Sequence, residues 1–124
     1  MKSNEEFKTQ LISRAFNLAR RTIALADKFP NKRSAWVIAD QLIRAATSIG
    51  ANIIEAQAAS SKRDFVNFLN YALKSGNETK FWLALDKDIM PNNLQEIDAL
   101  RQEVDELTKI LGSSISTLRG KNKL

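Results

Sequence analysis

The chain has 124 residues, of which 44% are hydrophobic and 27% charged, a composition typical of a globular domain with a single core. It contains no Cys and no His, which excludes disulfides, thiolate or imidazole metal sites and histidine general bases. Lys and Arg number 19 against 14 Asp and Glu, so the net charge of +5 points to a polyanionic partner as one expectation.

The composition favours binding over catalysis. A Ser-His-Asp triad cannot be built, and carboxylate-only catalysis would need two acids that converge on a pocket. Glu55 and Glu78 are expected to lie far apart. We therefore predict that the protein is not an enzyme and uses no metal or cofactor.

The beginning of the chain has no membrane-targeting pattern. MKSNEEFK carries acidic residues and no apolar h-region, so a signal peptide is not expected. No apolar run approaches the roughly 20 residues that span a bilayer. These observations predict a cytoplasmic protein with no membrane contact.

The first predicted helix covers residues 4–29. Its apolar positions recur every three or four residues, at Phe7, Leu11, Ala15, Leu18, Thr22, Ala26 and Phe29. A second stripe lies beside the first, at Ile12, Phe16, Ala19 and Ile23. Together the two stripes cover about half of the helix circumference, which is more than one core contact needs.

Three more helices are predicted after FPNKRSAW, at residues 34–59, 62–89 and 94–118. Ser34 is the expected N-cap of the second helix, Ser60 or Ser61 of the third, and Asn93 of the fourth. The last helix has nearly heptad spacing, and residues 119–124 are expected to fray. Four helices with short turns predict one all-α domain over 1–124, an up-down-up-down antiparallel four-helix bundle.

A polar row crosses the second and third predicted helices. Its members are Arg44, Ser48, Asn52, Glu55, Ser75 and Glu78. Antiparallel pairing brings Arg44 near Glu78, and we predict an ion pair between them in a seam that fixes helix register. The alternative is that the row faces water.

Basic residues concentrate in the first 33 positions, where eight Lys and Arg oppose three acids. The candidate nucleic-acid contacts are Arg14, Arg20, Arg21, Lys28, Lys32 and Arg33; Lys121 and Lys123 lie in the tail. Phosphate contact is expected rather than base stacking. The alternative is that these cations pair with the acids of the fourth helix, Glu96, Asp98, Glu103, Asp105 and Glu106.

Apolar residues on the third helix lie away from its core stripe. They are Tyr71, Phe81, Trp82 and Leu85, and they form a candidate oligomer interface. The alternative is that they cover the core edge of a monomer.

Two long segments, QLIRAATSIGANIIEA and SSKRDFVNFLNYALKSGNETKFWL, resemble the four-helix-bundle family named for 23S rRNA intervening sequences. FP before the second helix and LTKILGSSISTL add to the resemblance, which covers roughly residues 7–118. The positions that fit its pattern are Gln41, Leu42, Arg44, Ala45, Ser48, Ile49, Asn52, Ile53, Glu55, Ser61, Asp64, Phe65, Phe68, Leu69, Ala72, Ser75 and Glu78. Departures from the pattern occur at Gly50, Ile54, Ala56 and Lys80.

The resemblance implies a bacterial bundle protein that assembles as a ring, typically a homopentamer. A related group, the accessory variability proteins of diversity-generating retroelements, binds a reverse transcriptase and nucleic acid. The expected function is therefore a non-enzymatic, ring-forming protein that binds RNA or DNA, and a nucleic-acid enzyme, as an accessory or scaffold. The alternative is an oligomeric protein–protein adaptor with no nucleic-acid role.

Overall fold

Four long helices make up most of residues 3–120, which are the residues that this computed structural model describes. They are α1 (Asn4–Ala26), α2 (Arg33–Gln57), α3 (Lys62–Ile89) and α4 (Leu94–Leu118). Each helix packs against the next, and α1 meets α4 through the least extensive contact. The described residues contain no strand, so the predicted all-α four-helix bundle is confirmed.

Side-chain caps fix the beginnings of α1 and α3. Ser3 and Glu6 form a reciprocal capping box, in which each side chain accepts from the other residue's backbone N–H at 3.1 Å. Ser61 accepts from the Asp64 N–H at 3.0 Å, so α3 has the bounds that the sequence predicted. The predicted tail lies mostly outside the described residues, except for Arg119 and Gly120.

α1 ends three residues earlier than predicted. The N–H groups of Lys28 and Phe29 bond to carbonyl oxygens only three residues back, on Leu25 and Ala26, at 3.0 Å. The chain therefore tightens into a turn before Pro30, because a residue that precedes proline disfavours helical geometry.

The predicted Ser34 cap is wrong. α2 begins at Arg33 with Lys32 at the N-cap position and no side-chain hydrogen bond, since the Trp36 N–H already bonds to the Lys32 carbonyl oxygen at 3.0 Å. α2 also ends at Gln57, two residues earlier than predicted. Asn93 lies at the N-cap position of α4, but its side chain makes no capping hydrogen bond.

The core follows the predicted stripes closely. The largest side chains with less than 2% exposure are Leu18, Leu25, Leu42, Ile49, Ile53, Leu83, Ile97, Leu100, Val104, Leu107, Leu111 and Thr22. Phe65 and Phe68 are only partly buried, at the edge of this core. Burial of these stripes is the dominant favourable term in folding the bundle.

Gly76 allows α3 and α4 to approach closely. A Cβ atom at this position would lie 2.5 Å from the Thr108 Cγ2 atom, which is far inside van der Waals contact. Gly50, on α2, has more room, because its added Cβ would lie 3.4 Å from the Ala15 Cβ. A Cβ atom therefore fits at Gly50, whereas at Gly76 it would require Thr108 to move.

Asp86 is a carboxylate buried in the bundle. Its residue exposure is 0%, and neither oxygen has a hydrogen-bond partner in the structure. Desolvation therefore raises the pKa of the Asp86 carboxyl from 3.8 to about 7. Because the ionised form is penalised in this position, Asp86 makes the fold sensitive to pH near neutrality.

None of the helices in the described range is both long enough and apolar enough to cross a membrane.

Candidate interaction surfaces

Ion pairs connect α1 to α4 along the predicted basic stripe. Arg14 donates from Nε to Glu103 Oε2 at 2.9 Å and from Nη2 to Glu103 Oε1 at 2.7 Å. The same Nη2 donates to Glu106 Oε1 at 2.7 Å, and Arg21 Nη2 lies 3.1 Å from Glu96 Oε1. The alternative reading of this stripe, pairing with helix four, therefore describes Arg14 and Arg21.

Arg14 makes the strongest of these contacts, because its hydrogen bonds are shorter than the 3.4 and 3.1 Å bonds from Arg21 to Glu96 and reach a second carboxylate, Glu106. The Arg14 guanidinium holds the pKa of the Glu103 carboxyl below its usual value, and the hydrogen bond to Glu103 raises the pKa of Arg14. Arg14 is therefore a neutralised cation that braces the least extensive helix contact. A phosphate would have to compete with two carboxylates for it.

Four candidate cations remain open to solvent. Arg20, Lys28, Lys32 and Arg33 are exposed, and none forms an ion pair with another described residue. Lys28 and Lys32 lie in the turn between α1 and α2, and Arg33 is the first residue of α2. The exposed basic surface is therefore centred on the α1–α2 turn.

The predicted ion pair between Arg44 and Glu78 does not form. Glu78 accepts a hydrogen bond from the Trp82 Nε1–H at 3.0 Å, one turn along its own helix, and Arg44 is exposed without an ionic partner in residues 3–120. Glu78 therefore bonds along its own helix rather than across the helix pair.

The rest of the polar row also bonds within its own helices. Ser48 Oγ donates to the Arg44 carbonyl oxygen at 2.7 Å, and Asn52 Nδ2 donates to the Ser48 carbonyl oxygen at 2.8 Å. Glu55 is exposed, and the Ser75 carbonyl oxygen accepts from Thr79. No hydrogen bond or ion pair joins the row across α2 and α3 in the described protomer, so the predicted polar seam does not form there. Arg44, Glu55 and Glu78 are exposed, whereas Ser48, Asn52 and Ser75 are half-buried.

The candidate aromatic edge on α3 is partly buried and partly open. Phe81 is 58% exposed and packs edge-to-face on Trp82 with ring centroids 5.0 Å apart. Tyr71 is 50% exposed, whereas Trp82 and Leu85 are half-buried. Trp82 packs partly against the core, so Phe81 and Tyr71 contribute most of the solvent-exposed apolar surface of this edge.

A second exposed apolar surface, which we call the apolar α1/α2 surface, consists of Phe16, Ile23, Trp36 and Ile54. Phe16 and Ile23 each lie two residues after an arginine that pairs with α4, Arg14 and Arg21 respectively. Two residues correspond to a rotation of about 200° around the helix, which places Phe16 and Ile23 on the side of α1 next to α2.

Gly50 marks the α1-facing side of α2, because it meets Ala15. Trp36 and Ile54 lie about 40° around the helix from Gly50, so they border α1. Trp36 is 58% exposed and Phe16 62% exposed. The exposed apolar residues of α1 and of α2 therefore form adjoining parts of one apolar face. The sequence periodicity predicted the α1 part of this face but not the α2 part.

Among residues 3–120, no group of three or more Asp and Glu side chains is placed to hold a metal ion.

A family model and a crystal structure both relate this chain to the same protein family. A family model described as 23S rRNA-intervening sequence protein matches residues 3–113. A crystal structure of a protein with unknown function from the S23 ribosomal protein family of Bacteroides thetaiotaomicron is 35% identical, with a TM-score of 0.77. That match covers 85% of this chain and 97% of the other. No curated protein matches the chain.

Proposed function

The chain belongs to the 23S rRNA-intervening sequence protein family, and we propose that it is a non-enzymatic, self-associating bundle that serves as a nucleic-acid-binding accessory or scaffold. The observation that carries this proposal is the apolar α1/α2 surface, which leaves four large side chains exposed on one face of a well-packed protomer. Contiguous exposed apolar faces typically mark interfaces. The proposed occupant is a second copy of the chain, in a closed ring that we expect to be a homopentamer.

In a ring, two different surfaces of neighbouring copies meet, so the apolar α1/α2 surface of one subunit would pack on another apolar patch of the next. A symmetric ring would cover the apolar face of every subunit by repeating one contact, with no exposed copy left at an end. Phe81 and Tyr71, on α3, offer a second apolar patch that the neighbouring subunit could cover. The proposed cytoplasmic location stays a prediction from the sequence.

Substitution on the apolar face tests the assembly. Phe16→Glu adds a charge to the apolar α1/α2 surface, whereas Gln102→Glu adds the same charge to an exposed polar position on α4, outside both apolar patches. Sedimentation velocity should show that Phe16→Glu dissociates the assembly and Gln102→Glu does not, with far-UV circular dichroism unchanged in both. Equal assembly of Phe16→Glu and the parent would refute this interface.

The nucleic-acid part of the proposal is supported by the exposed cations at the α1–α2 turn. Lys28, Lys32 and Arg33 have no ion pair in the described chain, and a ring would repeat them around an axis. Such a surface would contact phosphates without reading sequence, and its affinity would fall steeply with salt.

Fluorescence anisotropy with structured RNA and with duplex DNA tests this part. We expect micromolar or tighter binding at about 0.1 M salt, lost on reversal of charge at Lys28, Lys32 and Arg33 but kept in Lys74→Glu. Absence of binding to both nucleic acids would favour the second candidate, an oligomeric protein–protein adaptor. The exposed Phe81 and Tyr71 favour that adaptor, because they provide an aromatic docking edge.

A further inference from the structure

A cation-lined cleft lies at the end of the bundle opposite the α1–α2 turn. It is formed by the beginning of α3 and the end of α4 and has a volume of about 530 Å³. We call it the α3/α4 cleft; its lining residues are Lys62, Arg63, Val66, Asn67, Leu118 and Arg119. Its size is within the roughly 300–1,000 Å³ of small-ligand sites.

The α3/α4 cleft differs in charge from the cation-lined cleft on α1. The α1 cleft includes Glu103 among its lining residues, and Glu103 is bonded to Arg14. The lining of the α3/α4 cleft contains three cations and no carboxylate. Lys62, Arg63 and Arg119 are all exposed, and none has an ion-pair partner among residues 3–120.

The position of two of these cations adds to the positive potential. Lys62 and Arg63 occupy the first turn of α3, where the helix dipole already presents partial positive charge. The acid of that turn, Asp64, lies about 200° around the helix from Lys62 and is hydrogen-bonded to Ser60 Oγ at 3.4 Å. An anion in the cleft would therefore meet the helix terminus and three unpaired cations together.

The remaining lining residues select the kind of anion. Val66 and Leu118 give the cleft an apolar floor, and the Asn67 amide can both donate and accept hydrogen bonds. A bare inorganic anion would use only the cations. A ligand that joins phosphate to a flat, partly apolar group would use all of the lining.

We propose that the α3/α4 cleft binds a nucleoside 5′-phosphate, with the phosphate on Lys62, Arg63 and Arg119 and the base over Val66 and Leu118. Asn67 then pairs with a polar edge of the nucleoside. The ligand is either a free nucleotide or the 5′-terminal nucleotide of a nucleic-acid chain. In the second form the inference deepens the nucleic-acid part of the proposed function and rests on it.

Isothermal titration calorimetry of the full chain with ADP tests the proposal, with pyrophosphate and adenosine as comparison ligands. ADP is expected to bind most tightly, because only ADP uses both the cations and the apolar floor. Arg119→Ala and Lys62→Ala should each weaken ADP binding about tenfold, the loss expected for one charge-assisted hydrogen bond. Lys74→Ala is the matched control, an exposed cation on α3 about 18 Å along the helix from Lys62.

The outcomes distinguish a free nucleotide from the end of a nucleic-acid chain, and they distinguish failure of this inference from failure of the proposed function. Tighter binding of a single-stranded oligonucleotide with a 5′-phosphate than of its 5′-hydroxyl form indicates a chain end, whereas binding of ADP alone indicates a free nucleotide. The inference is overturned if neither ADP nor the 5′-phosphorylated oligonucleotide binds, if pyrophosphate binds as tightly as ADP, or if Lys74→Ala weakens binding as much as Arg119→Ala. Duplex binding that depends on the α1–α2 turn would survive that failure.

Discussion

Replacement of Asp86 by Asn should change how the stability of the bundle depends on pH. The pKa of the Asp86 carboxyl is about 7 in the folded protein and 3.8 in its ordinary state. The folded protein therefore holds this proton more tightly than the unfolded chain, so the contribution of Asp86 to stability is most favourable below about pH 4 and becomes less favourable as pH rises toward 7. At 1.36 kcal/mol per unit, the difference corresponds to a cost of about 4 kcal/mol above pH 7.

The absence of His and Cys from the sequence makes this effect easy to assign. No other side chain of ordinary pKa titrates between about pH 5 and pH 8, and the α-amino group is common to both proteins. Urea unfolding, followed by circular dichroism at about pH 5 and pH 8 and at one protein concentration, should show a parent that loses stability and an Asp86→Asn variant that loses little. Parallel losses in the two proteins would refute the assignment to Asp86.

Four further substitutions test the packing and the polar contacts. Gly76→Ala should destabilise the bundle by about 1–3 kcal/mol in urea unfolding, because the new Cβ collides with Thr108, whereas Gly50→Ala should be neutral or stabilising by up to about 1 kcal/mol. Arg44→Ala should change the free energy of unfolding by less than about 0.5 kcal/mol, because Arg44 is exposed. A larger loss would indicate that Arg44 has a stabilising partner that the protomer does not show. Glu103→Gln should cost roughly 1 kcal/mol at neutral pH and little near pH 2, because a carboxylate with a lowered pKa loses its contribution as pH falls through that value; a cost that persists in acid would contradict the ion-pair account.

Local signals predicted the helices well where the chain carried its own caps. Ser61 and the periodic residues after it gave the bounds of α3, because a side-chain cap and an apolar stripe both act within a few residues. The ends of α1 and α2 were less accurate, since Lys28, Phe29 and Ala59 make three-residue turn bonds that helical periodicity does not distinguish from a further helical turn.

Side-chain partners were harder to predict than helices. Glu78 bonds to Trp82 on its own helix, whereas Glu103 bonds to Arg14 on another helix. Which partner a carboxylate takes depends on helix rotation and register at the scale of one side chain. Asp86 was missed because a carboxylate on an otherwise apolar stripe resembles a solvated position in sequence. Two cations in the first turn of α3 were the available signal for the α3/α4 cleft, because acids are favoured there.

Native mass spectrometry of the unmodified chain tests most directly whether the exposed apolar face joins copies of this bundle. We expect a closed species that is a whole multiple of the 13.9 kDa subunit, with five copies giving about 70 kDa. A single species of 13.9 kDa at micromolar concentration would contradict the account.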